Sequence, residues 1–396
     1  MMKLAIMNHH PGLGGAETSL LTFLRKIDRE QFDVTVILPD SGPFSRELHE
    51  IGTRVKVIHL PRGLILLKRG HALKAFLVIL FYLFGLQIFL LKLCAYLRKN
   101  RFDLILTNSG KAHLYGSLAA LFCSIPIIWR FHDVLSPEDF SPLLIRGFIF
   151  LGNRLPRKVL AVSKTARDYL LKNGLKSDKV EVIFSGIDKE KLEGKNAFEG
   201  FREEWHLQNG VKLVGCMGRI IPQKGQKSFL LAIPKVIDQY PETFFLLIGD
   251  LYPGEGEYKE ELLGIVKKMG MEDKVKFTGF RREIGDAIRS LDIVVFPSVA
   301  PESFGLAILE AMVLGKPVIA SNLEGVRELI EDGVTGFLTE PGSPEQIADR
   351  IIDLLGNKDL YDRMRKKALE QASRFPVENY VASMERAFRE AALKER

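Results

Sequence analysis

Residues 212–225, KLVGCMGRIIPQKG, decide the fold: an apolar run from Lys212 to Met217 breaks at Gly218, crosses a proline-bearing loop and closes on Gly225. Such a run suits a parallel strand buried on both faces, and a helical stretch follows the loop. This strand–loop–helix unit begins midway along the chain. Downstream, strand-length apolar runs recur at 244–248, 275–278, 293–296 and 318–320. Upstream they stand at 4–7, 34–38, 55–60, 104–107, 127–131 and 159–162. Helical stretches separate them, so each half reads as a doubly wound, Rossmann-like α/β domain.

The length of 396 residues agrees, being too great for one ordinary core and enough for two. Between the halves, 187–209 is charged and carries Gly194 and Gly200, which suits a surface linker. The expected organisation is a first domain over 1–190, a second over 205–375, and a closing helix in 376–396. Sheets of this kind bind ligands beyond the carboxyl ends of their strands, so two facing domains imply a cleft.

Hydrophobic content of 46% with 27% charged residues excludes a disordered chain. Cys94, Cys123 and Cys216 stand far apart with no paired spacing, so neither a zinc site nor a disulfide framework is expected. A reducing compartment fits that usage. The start, MMKLAIMNHH, turns too soon for a secretory leader, so a cytoplasmic location is expected.

Net charge is +7, and its distribution is uneven: residues 1–200 carry 29 Lys and Arg against 18 Asp and Glu. Between Glu50 and Asp103 there is no carboxylate, and ten Lys and Arg fall in that interval. Such a stretch attracts anionic phosphates, of lipid or of nucleic acid. Within it a helix is expected over about 71–100, and its segment 75–91, AFLVILFYLFGLQIFLL, holds no charge. Three readings stay open: a buried crossover helix, a helix lying in a membrane interface, or a span, for which about 20 apolar residues are needed. Aromatics there lie inside the apolar run and are not spaced for stacking on bases, so nucleic acid is not an expected partner.

Four motifs carry chemistry. His10 to Glu17, HPGLGGAE, joins the first strand to a helix; its glycines let backbone approach a ligand and the helix start presents N–H groups to an anion. An ordinary tight turn reads equally well. Trp129 to Asp133, WRFHD, puts His132 at the end of a strand, where a His–Asp pair could donate to a sugar hydroxyl or move a proton. A structural histidine is the plainer reading. Gly218 to Gly225 sets Arg219 and Lys224 five positions apart, enough to neutralise both phosphates of a leaving diphosphate, or to be two solvated cations. Pro301 to Glu310, PESFGLAILE, places Glu302 before a helix expected from about Phe304 and Glu310 two turns in, where a buried carboxylate needs a partner such as ribose hydroxyls. An exposed helical glutamate is the alternative.

Taken together and in this order, the motifs resemble glycosyltransferase family 4 of the retaining GT-B enzymes, over nearly the whole chain. FPSVAPESFGLAILEAMVLGKPVIAS, from Phe296 to Ser321, and GVTGFLTEP, from Gly333 to Pro341, are the most similar segments. The resemblance implies a GT-B fold and transfer of a hexose or N-acetylhexosamine from a nucleotide diphosphate sugar with retention. It implies that Gly14 and Gly15 bring backbone near the phosphates and that Arg219 and Lys224 bind the diphosphate. Glu310 would take the ribose, and His132 would contact the transferred sugar. Glu302 and the N–H groups of Ser303, Phe304 and Gly305 would address sugar hydroxyls. The base would pack near FTGF at 277–280, with Phe280, and Glu17, Arg130 and Asp133 would lie on the acceptor side. One departure stands out: many relatives carry a glycine pair after Ser321, whereas this chain has Asn322, Leu323, Glu324 and Gly325.

No Asp-x-Asp metal motif is present, so charge on the leaving diphosphate falls to Arg219, Lys224 and helix N-termini, and neither metal nor cofactor is expected. UDP is preferred over GDP for the donor. The acceptor reads as a glycan or lipid-linked glycan at the inner membrane face, with the basic first domain peripheral on an anionic surface. A sugar-nucleotide 2-epimerase of the same fold and a catalytically silent partner subunit remain the alternatives.

Overall fold

The computed structural model describes residues 1–60, 72–137, 140–193, 203–205, 210–251 and 256–393, with backbone alone over 72–83. The chain divides into two compact units, Met1–Gly186 with Val377–Arg396, and Ile187–Pro376.

In the first unit the elements run β1 (Met2–Met7), α1 (Gly15–Lys26), β2 (Phe32–Leu38), α2 (Pro43–Glu50), β3 (Arg54–Val57), α3 (Ala72–Asn100), β4 (Leu104–Thr107), α4 (Gly110–Cys123), β5 (Ile127–Phe131), α5 (Pro142–Arg154), β6 (Lys158–Ala161), α6 (Lys164–Lys172) and β7 (Val180–Val182). Its seven strands lie in the order β3-β2-β1-β4-β5-β6-β7 and pair in parallel, with Leu4 opposite both Val34 and Leu104. The strand order therefore reverses direction between β1 and β4. Helix α1 starts where it does because Glu17, at its third position, accepts the Gly14 N–H on its own carboxylate. One face of the sheet is covered by Leu20, Phe23 and Leu24 of α1 and by the chain's last helix, which brings Tyr380, Met384 and Phe388 into the same core.

The second unit contains α7 (Lys189–Glu193), β8 (Lys212–Met217), α8 (Gln226–Gln239), β9 (Thr243–Ile248), α9 (Gly256–Lys268), β10 (Val275–Gly279), α10 (Ile284–Ser290), β11 (Ile293–Phe296), α11 (Leu306–Val313), β12 (Val318–Ser321), β13 (Phe337–Thr339), α12 (Pro344–Gly356) and α13 (Lys358–Ala372). The last helix, α14 (Val377–Ala392), belongs to the first unit. Six parallel strands take the order β10-β9-β8-β11-β12-β13, reversing between β8 and β11. Val214, Phe229, Ile233, Phe245, Val295 and Ile319 build its core.

Four details depart from the sequence reading. Strands β7 and β13 have three residues each, too short to leave a periodic signal. Strand β3 ends at Val57, short of 60. Part of the stretch read as a surface linker is the helix α7, whose Leu192 is buried; its backbone lies so close to α10 that a Cβ on Gly285 would sit 2.0 Å from the Leu192 carbonyl oxygen. The rest of that stretch, including Gly194 and Gly200, falls outside the described residues. Finally, Cys94 and Cys123, distant in sequence, meet: the Cys123 thiol donates to the Cys94 carbonyl at 3.7 Å, and both remain free thiols.

Helix α3 is continuous from Ala72 to Asn100. Where its side chains are described, Phe89, Leu93 and Leu97 are buried while Phe84 and Leu91 are 60% and 70% exposed. From Phe84 on, the helix thus has one apolar face in the core and another in solvent, and the side chains of 75–83 lie outside the described residues. Among the described residues no helix is long and apolar enough to cross a membrane.

Candidate functional site

Both reversals of strand order put loop residues side by side at the carboxyl ends of strands, where doubly wound sheets bind ligands. In the second unit three such loops touch backbone to backbone. A Cβ on Gly225 would lie 1.8 Å from the Pro297 carbonyl oxygen, and one on Gly249 would lie 1.9 Å from that of Gly218. Gly218 and Gly225 also hold φ of +139° and +68°, which favour glycine. The loop is closed from inside by buried Gln226, whose Nε2 donates to the Arg219 carbonyl at 2.6 Å.

On this frame Arg219 is exposed. Lys224 Nζ bonds the Glu302 carboxylate, whose Oε1 also accepts Ser298 Oγ at 2.7 Å. Sequence reasoning gave Lys224 and Glu302 separate tasks; the structure pairs them. Gly305, with φ +82°, caps α11 and leaves the helix's first N–H groups without intrahelical partners. Ser303 is half-buried before it, whereas the Phe304 ring turns inward against Phe375 at 5.6 Å between ring centres, so Phe304 offers only backbone to a ligand. Glu310, in the second turn of α11, is 8% exposed. Burial pushes its carboxyl up to about 7, and Lys191 of α7 pulls the other way. Phe280 is 54% exposed beyond the φ +70° turn at Gly279. The single glycine kept after Ser321 has a packing cause: a Cβ on Gly325 would lie 2.0 Å from the Glu302 carbonyl oxygen.

In the first unit the residues just beyond β1, β4 and β5 are Asn8, Asn108 and His132. Asn8 Nδ2 donates to Glu17 Oε1 at 2.9 Å and to the His10 carbonyl at 2.8 Å. Asn108 Nδ2 reaches Asn8 Oδ1 at 3.3 Å, and His132 Nε2 lies 2.9 Å from Asn108 Oδ1. His132 is therefore partnered by Asn108 and not by its neighbour Asp133, which is exposed; consecutive residues leaving a strand point to opposite sides. Burial, then Arg130, then His113 hold His132 well below the usual imidazole range. His113 itself is fully buried, stacked between Trp129 and Phe131 at 4.8 and 5.3 Å, and burial pushes it down to about 3. Gly14 caps α1, and a Cβ on Gly15 would meet nothing within 4 Å, so packing does not demand glycine there.

Two residues placed on the acceptor side are turned inward. Glu17 is buried with both oxygens accepting protein N–H groups. Arg130 is fully buried under α14, donating to Met384 Sδ at 3.1 Å and Ser185 Oγ at 3.2 Å with its guanidinium 4.6 Å from the Tyr380 ring centre. A strand residue directed at the sheet's covered face cannot also reach the open strand ends. Sequence reasoning missed Asn8, Asn108, Ser298 and Gln226. The available signal was a polar residue directly after an apolar strand run, at the strands that flank the reversal. Among the described residues no three His, Cys, Asp or Glu side chains gather as a metal site.

Two doubly wound parallel sheets, with cationic and acidic loops at the strand ends of one, define a glycosyltransferase of the GT-B fold, an enzyme of the hexosyltransferase class. Residues 13–191 match the family model Glycosyltransferase Family 4, and residues 197–371 match Glycosyl transferases group 1. The chain belongs to glycosyltransferase family 4. HepE of Anabaena, whose crystal structure is in complex with UDP and glucose, is 28% identical and superposes with a TM-score of 0.86 over 98% of this chain and 100% of that one. The UDP-Gal:alpha-D-GlcNAc-diphosphoundecaprenol alpha-1,3-galactosyltransferase of Escherichia coli is 25% identical over 369 residues, 91% of this chain and 89% of that protein. The phosphatidyl-myo-inositol mannosyltransferase of Mycobacterium leprae is 28% identical over 276 residues, 69% and 70% of the two chains.

Proposed function

We propose that this enzyme transfers a hexose or N-acetylhexosamine, with retention, from a nucleotide diphosphate sugar to a lipid-linked glycan at the inner membrane face, with UDP preferred over GDP. The observation that carries the donor half is the Lys224–Glu302–Ser298 cluster beside bare glycine loops at the ends of β8 and β11. A diphosphate arriving there takes over the lysine, and Arg219 adds the second charge. Positive groups aimed at the bond being broken stabilise the charge that develops on the leaving phosphate, so no step needs a metal. Glu310 takes the ribose hydroxyls, whose hydrogen bonds favour its ionised form. Glu302 and the N–H groups of Ser303, Phe304 and Gly305 hold the sugar, and Phe280 lies toward the base. Gly15 leaves open backbone that a phosphate can approach, beside Gly14 at the cap of the same helix.

The acceptor hydroxyl attacks the anomeric carbon as the bond from that carbon to the phosphate oxygen breaks. Its proton passes to the departing phosphate on the same face, which accounts for retention without a protein nucleophile.

For the acceptor, the support is that two relatives are named for lipid substrates and that large apolar side chains are exposed on the first unit. Phe84 and Leu91 of α3, Leu121 and Phe122 of α4 and Leu143 of α5 are each more than half exposed. Arg98 and Lys99 stand on α3 with no acid from 51 to 102. Exposed apolar side chains on helices that also carry cations fit an anionic lipid surface. The test is a transfer assay with UDP-sugars and a polyprenyl-diphosphate-linked sugar, alongside flotation with anionic and neutral vesicles. Phe84→Glu with Leu121→Glu should lose flotation and keep hydrolysis of the donor. Equal flotation of both chains overturns the membrane reading, and no transfer to any lipid-linked acceptor overturns the acceptor.

A further inference from the structure

The hydrogen bonds behind His132 form a directed chain. Glu17 begins it, because a carboxylate only accepts, and both its oxygens do so: Oε2 from the Gly14 N–H at 3.0 Å and Oε1 from Asn8 Nδ2 at 2.9 Å. Asn8 must therefore turn its amide nitrogen toward Glu17. The second hydrogen on that nitrogen goes to the His10 carbonyl at 2.8 Å, another group that only accepts, so the orientation is fixed twice. Asn8 Oδ1 is then left facing Asn108, which must present its own nitrogen across 3.3 Å; that nitrogen also points to the Ala16 carbonyl at 3.4 Å. What remains for His132 is Asn108 Oδ1, an acceptor, 2.9 Å from Nε2. Only a protonated Nε2 can bond it.

We propose that Glu17, through Asn8 and Asn108, fixes His132 as the Nε2–H tautomer, so that His132 meets a sugar hydroxyl as a hydrogen-bond acceptor at Nδ1. Nδ1 carries no proton and has no partner among the described residues. Neutral imidazole has one donor and one acceptor nitrogen, so spending the donor inward leaves the acceptor outward. The arrangement selects a ligand that offers an O–H and disfavours one that offers only lone pairs. Glu17, Asn8 and Asn108 are positioning residues: they act on the ring and touch no ligand. Asn8, Asn108 and His132 each follow the last residue of a strand, on three neighbouring strands of a rigid sheet, so the relay is set before any substrate arrives.

The choice of hydroxyl as ligand rests on the function proposed above; the tautomer does not. The experiment is long-range proton–nitrogen correlation NMR on the full, ligand-free chain labelled with nitrogen-15 histidine, with His132 assigned by its loss in His132→Gln. The expected spectrum shows a protonated Nε2 and a bare Nδ1. A proton on Nδ1, or an even mixture, overturns the proposal. Glu17→Gln leaves the Asn8 orientation held by the His10 carbonyl alone, so the Nδ1–H tautomer should rise from undetectable to a measurable minority; a spectrum identical to that of the unmodified chain overturns the part of Glu17 in the relay. Asn108→Asp keeps an acceptor oxygen and serves where Glu17→Gln fails to fold. It should keep the proton on Nε2 and raise the pH at which the ring gains a second proton, and an unchanged titration overturns the contact. An unslowed Lys224→Ala enzyme would overturn the proposed function and leave the tautomer standing.

Discussion

Lys224 Nζ bonds the carboxylate of Glu302, tying the loop after β8 to the loop after β11, and Ser298 Oγ holds the same carboxylate oxygen at 2.7 Å. The two charged side chains are 27% and 19% exposed, so water still screens the pair in part and its net contribution to stability is about 1 kcal/mol, the upper end for a solvated ion pair. On the proposed role, removing the lysine should cost activity far more than stability. Lys224→Ala should slow transfer on the order of 100- to 1,000-fold, the usual effect of deleting one group that stabilises developing charge. Its thermal midpoint should stay within a few degrees, since about 1 kcal/mol moves a domain of this size by about 2–4 °C. Steady-state kinetics beside a melting curve decide it, and a normal rate would contradict the role.

Glu310 links pH to both stability and donor binding. Its folded pKa is raised from 4.5 to about 7 by burial, so the native state holds a proton that the unfolded chain gives up. The stability this group contributes is present below pH 4.5 and is lost as pH rises through 7. At pH 8 the buried charge costs on the order of 3 kcal/mol. Glu310→Gln should therefore flatten the stability profile between those limits and raise stability at pH 8, while weakening nucleotide binding most at high pH, where the native carboxylate accepts ribose hydroxyls. Urea titrations at pH 5 and pH 8 read the first effect and calorimetry with UDP the second. An unchanged profile would show that Glu310 is not buried as a charge.

The fold was legible because parallel strands covered on both faces read as short continuous apolar runs, as at Leu213–Met217, bounded by turn residues and separated by helix-length stretches. The same logic failed at β7 and β13, where three residues carry no pattern, and at α7, whose single buried Leu192 is hidden in a charged stretch. The charged members of the candidate site were legible from type and spacing. Direction was not: which face of β5 Arg130 takes, and that His132 turns to Asn108 and not to Asp133, depend on neighbours a hundred or more residues away or on the next strand. Gly325 is a further case, since its cause is the carbonyl of Glu302.

Gly225 is the position where backbone approach is least forgiving. Its φ of +68° disfavours any side chain, and a Cβ would lie 1.8 Å from the Pro297 carbonyl oxygen, a backbone atom that cannot swing aside. Gly225→Ala should destabilise by about 2–4 kcal/mol, combining left-handed strain with overpacking. Because Lys224 is the adjacent residue, the displaced loop should also lose UDP affinity. Gly15→Ala provides the contrast: open space surrounds its Cβ, so stability should change by no more than about 1 kcal/mol, the propensity difference, and any loss of activity must come from the ligand side. Equal destabilisation by the two substitutions would contradict the packing argument.

Arg130 is a buried cation with no carboxylate partner among the described residues. Its guanidinium has Met384 Sδ, Ser185 Oγ and the Tyr380 ring for company, its Nε has no partner among the described residues, and burial lowers its pKa. An unpaired buried charge is a weak contributor to stability, and an apolar side chain of similar length often serves as well. Arg130→Met should leave stability within about 1 kcal/mol of the native value, or raise it. It should leave the KM for the acceptor unchanged, because Met384 and Tyr380 of α14 cover this side chain. It should also raise the pKa of His132, since the positive charge of Arg130 is the second cause, after burial, that holds that imidazole neutral. Melting curves and a histidine NMR titration test the two halves separately. A loss of more than about 3 kcal/mol would mean that the guanidinium anchors α14. An unmoved His132 would mean that burial alone keeps the ring neutral.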